Sequence, residues 1–190
     1  MNRQLIVIDD FYANVDDVRN HVLTMDFSVT GNYPGARTAP VPEPQFSFLK
    51  EYFSKEVLDR VINFWPGSYN TSFQYTTEGV PNWIHHDETN WAGICYLTPN
   101  PPENSGTTLF SLRENGVFQH KGGQIDYNSF AEYTEDESKW KPEITIENRY
   151  NRLILYNGFC YHRATIPGFG TCKETGRLFQ VFFFNTLDKI

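Results

Sequence analysis

The spacing of apolar residues along the chain changes rhythm near residue 67. Upstream, "LIVIDDF" (5–11) is a short apolar run closed by two aspartates and reads as a strand. Val15, Val18 and Val22 then recur at helical spacing. Asn14 stands where an N-cap would, and Asp16 and Asp17 fall in the first turn. Residues 30–44 hold four prolines and two glycines, which predicts a loop. Phe46, Leu49, Phe53, Val57, Leu58, Val61, Ile62 and Trp65 repeat at three and four, predicting a second helix stopped by "WPG".

Downstream, short runs of β-forming residues alternate with turn residues. "TSFQYTT" (71–77), "NWIHHDE" (82–88), "WAGICYLTP" (91–99), "GTTLFSL" (106–112), "EITIE" (143–147), "RLILYN" (152–157) and "RLFQVFFFN" (177–185) all read as strands. Residues 113–143 are polar and irregular, as expected of an exposed insertion. Two helices followed by seven or eight strands imply a mainly β fold with supporting N-terminal helices, a sandwich or jelly roll braced on one face. A single domain over 1–190 is expected: 1–67 as support, 68–190 as the core.

Composition sharpens this picture. The 190 residues suffice for one sizeable core, and 16 Phe and 11 Tyr suit pleated, half-buried surfaces. The net charge of −7 argues against extended nucleic-acid contacts, although a small anionic ligand needs only a local positive group. Cys95, Cys160 and Cys172 are too widely spaced for a disulfide framework or a zinc ribbon. No run is long enough for a secretory signal core or a membrane span, so a cytoplasmic location is expected.

The candidate chemistry lies in "WIHHDE" (83–88). On a strand His85 and Asp87 share a face, offering an imidazole and a carboxylate to one point, while His86 and Glu88 point away. Two histidines and one carboxylate form the facial triad of non-heme ferrous sites. The third ligand must come from His21, His120 or His162. His162 is the best placed, at the end of the apolar "RLILYNGFCYH". His21 lies on the first predicted helix and His120 in a turn, where lone histidines are more often surface or core groups. His86 with Glu88 is the alternative pair. Arg177 opens the apolar strand "RLFQVFFFN" with no acid on its face, a costly position that a carboxylate ligand would relieve. Trp83, Trp91 and the tyrosines could line a pocket, though core packing is the commoner use of large aromatics. Arg37 and Arg163 could meet an anionic substrate, and for Arg37 a solvated loop charge is the simpler reading.

The H-x-D pair, a distant histidine and an arginine on the next strand resemble the Fe(II)/2-oxoglutarate-dependent dioxygenases, most closely the prolyl-4-hydroxylase-like branch. "ICYLTPN", "SGTTLF" and "NRLILYNGFCYHRATIP" resemble that branch's strands, and "NYPGAR" (32–37) is similar to a segment in small bacterial and phage members. The resemblance implies a double-stranded β-helix (jelly roll, cupin-like) and Fe(II) held by His85, Asp87 and His162. It also implies 2-oxoglutarate held by Arg177 and Tyr96, O2 as the other co-substrate, and hydroxylation of a peptide or small-molecule substrate. Many members carry a serine two residues after the arginine, where this chain has Phe179. Tyr75, Tyr96 and Tyr156 are candidates to replace that hydroxyl. The stretch from His162 to Arg177 is longer than usual, which implies a protruding loop at "GFGTCKETG". The rival readings are a non-oxidative cupin-like metal-binding protein or isomerase, and a non-enzymatic interaction domain that keeps the fold.

Overall fold

The computed structural model describes residues 5–121, 134 and 136–187. Its strands are β1 (Leu5–Ile8), β2 (Ala36–Arg37), β3 (Ile62–Phe64), β4 (Phe73–Thr76), β5 (Trp91–Tyr96), β6 (Thr107–Leu112), β7 (Trp140–Ile146), β8 (Leu153–Tyr156), β9 (Tyr161–Ala164) and β10 (Arg177–Thr186). Helices α1 (Val15–Val22) and α2 (Gln45–Tyr52) lie between the first strands. A seven-stranded antiparallel sheet runs β1-β8-β5-β10-β4-β2, with β3 on the far end of β10. A three-stranded antiparallel sheet runs β7-β6-β9. This is the jelly roll expected from the alternating pattern.

Strand parity divides the interior in two. From β10, Leu178, Phe182 and Phe184 enter a cluster with Trp91, Cys95, Leu153 and Leu155, and the helices cover it with Val22, Leu49 and Phe53. Phe179 and Val181, one residue out of step, enter a second cluster with Ile94, Leu109, Ile154 and Tyr156. The helices therefore seal one face of the large sheet, and the small sheet covers the other. Burying each large apolar side chain contributes roughly 1.5–3 kcal/mol.

Three local expectations fail, each for a tertiary reason. The second helix ends early. After Tyr52 the chain makes a wider turn, Phe53–Val57, with the Leu58 N–H donating to the Phe53 carbonyl at 3.0 Å. Asp59 then turns left-handed at φ 49°, and Ile62 and Phe64 pair with Thr186 and Asn185 as β3. Apolar spacing alone could not separate these strand residues from a continuing helix. Next, the proline-rich loop contains β2: Ala36 and Arg37 pair with Tyr75 and Gln74, extending the sheet past β4. Finally, "NWIHHDE" is not a regular strand. Only His85 forms a bridge, antiparallel to His162.

The start of the expected insertion, residues 113–121, continues from β6, and its end joins β7 at Trp140. Residues 122–133 and 135 of that stretch lie outside the described residues. No helix among the described residues is long and apolar enough to cross a membrane.

Candidate metal centre and its cavity

His85 and His162 are set side by side by backbone hydrogen bonds. The His85 N–H donates to the His162 carbonyl at 3.0 Å, and the His162 N–H donates to the His85 carbonyl at 2.8 Å. The bridge adds His85 to the small sheet beside β9. Asp87 is held next to them by its N–H, which donates to the Gly158 carbonyl at 2.7 Å. Gly158 is needed in this turn between β8 and β9. A Cβ there would meet the Thr89 carbonyl at 2.3 Å, and the Asp87 Cβ at 3.3 Å. "YNG" therefore carries the chain from the large sheet to the small one and leaves room for the acid.

The donor atoms of His85, Asp87 and His162 lie within 4.8 Å of one another, and they are the only such group among the described residues. Each histidine uses Nδ1 on a backbone carbonyl two residues earlier, His162 on Cys160 at 2.8 Å and His85 on Trp83 at 3.1 Å. A carbonyl accepts only, so Nδ1 carries the proton and Nε2 keeps its lone pair. The His162 Nε2 then faces Asp87 Oδ2 at 3.4 Å. Two acceptors at that separation call for a shared proton or a cation. Burial, with His85 next, holds the His162 imidazolium well below the usual histidine range, so the ring is neutral. Burial also pushes the Asp87 carboxyl up, against the pull of His85, His86 and Arg37. The unfavourable carboxylate charge is thus one that a divalent ion would offset.

The other histidines do not join. His86 stacks on His120 with ring centroids 4.1 Å apart, and His21 is exposed on α1. Glu88 is exposed at the cavity rim.

The centre opens into a cavity of about 400 Å³ between the two sheets, a volume typical of small-molecule sites. Arg177 lies in its wall and is 4 % exposed. Its Nε donates to the Ser105 carbonyl, and its Nη2 to the Gly106 carbonyl and the Thr107 hydroxyl, each at 3.3 Å. These are long bonds to neutral groups, and no carboxylate among the described residues pairs with it. Burial lowers its proton affinity, with Tyr96 and Tyr156 partly opposing. The Tyr96 hydroxyl bonds Thr107 at 2.8 Å, so Tyr96 stands behind the guanidinium, whereas Thr107 and Tyr156 line the cavity itself. Tyr75 packs in the helix-covered cluster, out of step with Gln74 and Thr76 on β4. The "GFGTCKETG" stretch is a loop with exposed Thr171, Cys172 and Glu174, pinned where the Gly170 carbonyl accepts the Glu78 N–H. Trp91 is core, while Trp83 lines the cavity.

Of the two other arginines, Arg163 pairs with Glu137 at 2.6 Å. Arg37, read from sequence as a loop charge in solvent, is 8 % exposed and lines the cavity. The short strand β2 turns it inward. Gln74 and Thr107 are the cavity groups that sequence reasoning missed, and for Arg37 it preferred a solvated loop charge over the contact to an anionic ligand that it also named. The alternation of "TSFQYTT" could have flagged Gln74, whose neighbours Phe73 and Tyr75 face the core.

Solved structures with this fold include Fe(II)/2-oxoglutarate-dependent dioxygenases. HygX from Streptomyces hygroscopicus, with nickel, 2-oxoglutarate and hygromycin B bound, superposes with a TM-score of 0.62 at 12 % identity, covering 96 % of this chain and 82 % of that one. A prolyl hydroxylase from Trichoplax adhaerens, in complex with a hypoxia inducible factor oxygen degradation domain peptide fragment, gives 0.56 at 12 % identity, covering 95 % and 83 %. A Pseudomonas putida prolyl-4-hydroxylase gives 0.56 at 11 % identity, covering 96 % and 93 %. No curated protein matches the sequence. A family model matches residues 1–184, and by that match the chain belongs to the family described as "Family of unknown function (DUF6445)".

Proposed function

We propose that this protein is an Fe(II)- and 2-oxoglutarate-dependent dioxygenase that hydroxylates a small molecule or a peptide side chain. The observation that carries the reading is a buried, acid-free arginine in the same cavity as a His-Asp-His cluster. The donor set fits a ferrous ion: two Nε2 lone pairs and one carboxylate, converging from one side. Arg177 fits the distal carboxylate of 2-oxoglutarate, because a planar guanidinium grips a carboxylate with two parallel bonds. The fold shared with HygX and the prolyl hydroxylases supports the same assignment.

In this reading His85, Asp87 and His162 hold the metal, and the carbonyls of Trp83 and Cys160 fix the orientation of the two imidazoles. Iron with 2-oxoglutarate and O2 supplies the oxidising power, and the co-substrate leaves as succinate and carbon dioxide. Arg177, backed by Tyr96, orients the co-substrate. The Thr107 hydroxyl stands where it can replace the serine that Phe179 displaces. Phe179 and Val181 line the wall and limit water.

The non-oxidative reading has no use for Arg177. Anaerobic addition of Fe(II) and then 2-oxoglutarate separates the two. The dioxygenase should develop a weak visible charge-transfer band only when both are present, and succinate should form when air is admitted with a substrate. Iron binding with no spectral response to 2-oxoglutarate would favour the cupin-like reading.

A further inference from the structure

Resting on the dioxygenase reading, we propose that the substrate is a small carboxylic acid and that Arg37 binds its carboxylate. Arg37 lies in the cavity wall on β2, remote in sequence from the metal cluster but close enough for Asp87 and Arg37 to influence one another's proton affinity. It is fixed in place. Its Nε donates to Gln74 Oε1 at 2.9 Å, its Nη2 donates to the same oxygen, and the Tyr33 ring lies 3.7 Å from its guanidinium carbon. Gln74 is itself anchored, its Nε2 donating to the Pro34 carbonyl at 2.6 Å.

Which donors remain follows from guanidinium geometry. Of five N–H groups, Gln74 takes the one on Nε and the adjacent one on Nη2. The outer fork, formed by Nη1 and the second hydrogen of Nη2, has no partner among the described residues. That fork matches a carboxylate in a bidentate pair. The clamp is neutral. A glutamate at position 74 would cancel the charge, whereas glutamine positions the guanidinium and leaves its charge available. No carboxylate among the described residues forms an ion pair with Arg37, and burial lowers its proton affinity to about 10, still charged at neutral pH.

Charge matching argues for a monoanion. With a divalent metal and the dianionic co-substrate in place, Asp87 and Arg177 complete a neutral set. Arg163 is compensated by Glu137. Arg37 is left as the buried cation of the cavity wall without an ion pair, and the one remaining acid of the lining, Glu88, is exposed at the rim. A dianionic phosphate would meet one free fork and the repulsion of Asp87, while a carboxylate is matched in both shape and charge. Trp83, Pro81 and Phe183 line the same cavity and suit an apolar or aromatic body on the acid.

The test uses the full chain loaded with nickel(II) and 2-oxoglutarate, so that Arg177 is filled. The probes are a panel of small carboxylic acids, comprising benzoate, the straight-chain fatty acids up to octanoate and the N-acetyl amino acids. Each is paired with its primary amide, and phenyl phosphate is added. Ligand-observed NMR reads the affinities. At least one acid should bind about tenfold or more tightly than its amide. Arg37→Gln should weaken that acid about ten- to a hundredfold while 2-oxoglutarate affinity moves by less than about twofold. Gln74→Glu, which keeps the clamp but adds an internal carboxylate, should produce the same selective loss if Arg37→Gln fails to fold. The proposal is overturned if no acid outdoes its amide, if the preference survives both variants, or if phenyl phosphate binds more tightly than every acid. It is also overturned if Arg37→Gln loses 2-oxoglutarate instead, which would make Arg37 the co-substrate anchor. If the wild type binds neither nickel nor 2-oxoglutarate, the dioxygenase reading falls on its own. The same acid–amide comparison on the metal-free protein then still decides for or against Arg37.

Discussion

Arg177 and Arg37 stand in the wall of one cavity, and both are buried cations without an acid, yet they are held in opposite ways. Arg177 opens the ten-residue β10, makes 3.3 Å hydrogen bonds to two carbonyls and a hydroxyl, and lies 4.6 Å from the Phe179 ring. Arg37 sits on the two-residue β2 and is clamped by Gln74 and by the Tyr33 ring. In Arg177 the long strand supplies the rigidity and the donors stay loosely engaged. In Arg37 the backbone is short, so side chains supply the rigidity and part of the donor set is spent on them. A buried, unpaired guanidinium costs several kcal/mol in either case. Such a cost at two points of one cavity is what a site for two carboxylates would carry.

The largest effect should come from removing the metal-ligating cluster that shares the cavity with the two arginines. Asp87→Ala takes away the one carboxylate of the donor set, and metal affinity should fall by more than the roughly 10–100-fold typical of changes outside the coordination sphere. Iron content after gel filtration measures it. Retained iron would shift the centre to His86 and Glu88. Next, Arg177→Lys keeps the charge but loses the fork. Affinity for 2-oxoglutarate should drop about ten- to a hundredfold, corresponding to roughly 1.5–3 kcal/mol, with iron binding nearly unchanged. Unaltered 2-oxoglutarate affinity would remove Arg177 from the co-substrate site.

The third effect separates the two clamps in the absence of any ligand. Arg37→Met removes a buried charge but leaves the buried Gln74 Oε1 without its donor, a loss of about 1–3 kcal/mol that Arg177→Met does not incur. Arg177→Met likewise removes a buried charge and breaks long hydrogen bonds and the ring contacts to Phe179 and Tyr96, so its metal-free protein should be the more stable of the two variants. Urea unfolding of both variants compares them. Equal losses would mean that Arg177 is as firmly held as Arg37.

The same contrast explains what could be read from the sequence. Arg177 was visible because it heads "RLFQVFFFN", where a charge against an apolar run demands a partner. His85 and Asp87 were picked out by strand parity, but the parity itself fails: the segment forms only one bridge, and His86 and Glu88 line the same cavity. The burial of Arg37, a residue named from sequence but preferred as a loop charge, was hidden, because two paired residues inside a proline-rich stretch leave no periodic signal and its inward turn depends on Tyr75 and Gln74 across β4. Ile62 and Phe64 were misread for a related reason. Their apolar spacing continues a helix, and only the end of β10, more than a hundred residues away, draws them into a sheet.

The smallest effect belongs to a third arginine that does have an acid. Arg152 donates through Nε to Asp9 Oδ1 at 2.6 Å and through Nη2 to Oδ2 at 3.0 Å, and Arg149 adds a 3.2 Å contact. The pair joins the end of β1 to the start of β8, next to the Ile8–Leu153 pairing. The hydrogen bond from Arg152 is the main cause that holds the Asp9 carboxyl below its ordinary value of 3.8. A depressed carboxyl stabilises the fold above its unfolded pKa, and that contribution is lost as pH falls through the lower folded value. Solvent screens the pair, since Asp9 is more than a third exposed, so Asp9→Asn should cost only about 0.2–1 kcal/mol at pH 7. The wild-type advantage should persist at pH 5, shrink below pH 3.8 and weaken with added salt. Urea midpoints of the two proteins across that range measure it. A gap that stays constant into acid would mean that the carboxylate charge is not what Arg152 reads, and that an arginine with an acid at hand is held no differently from the two that lack one.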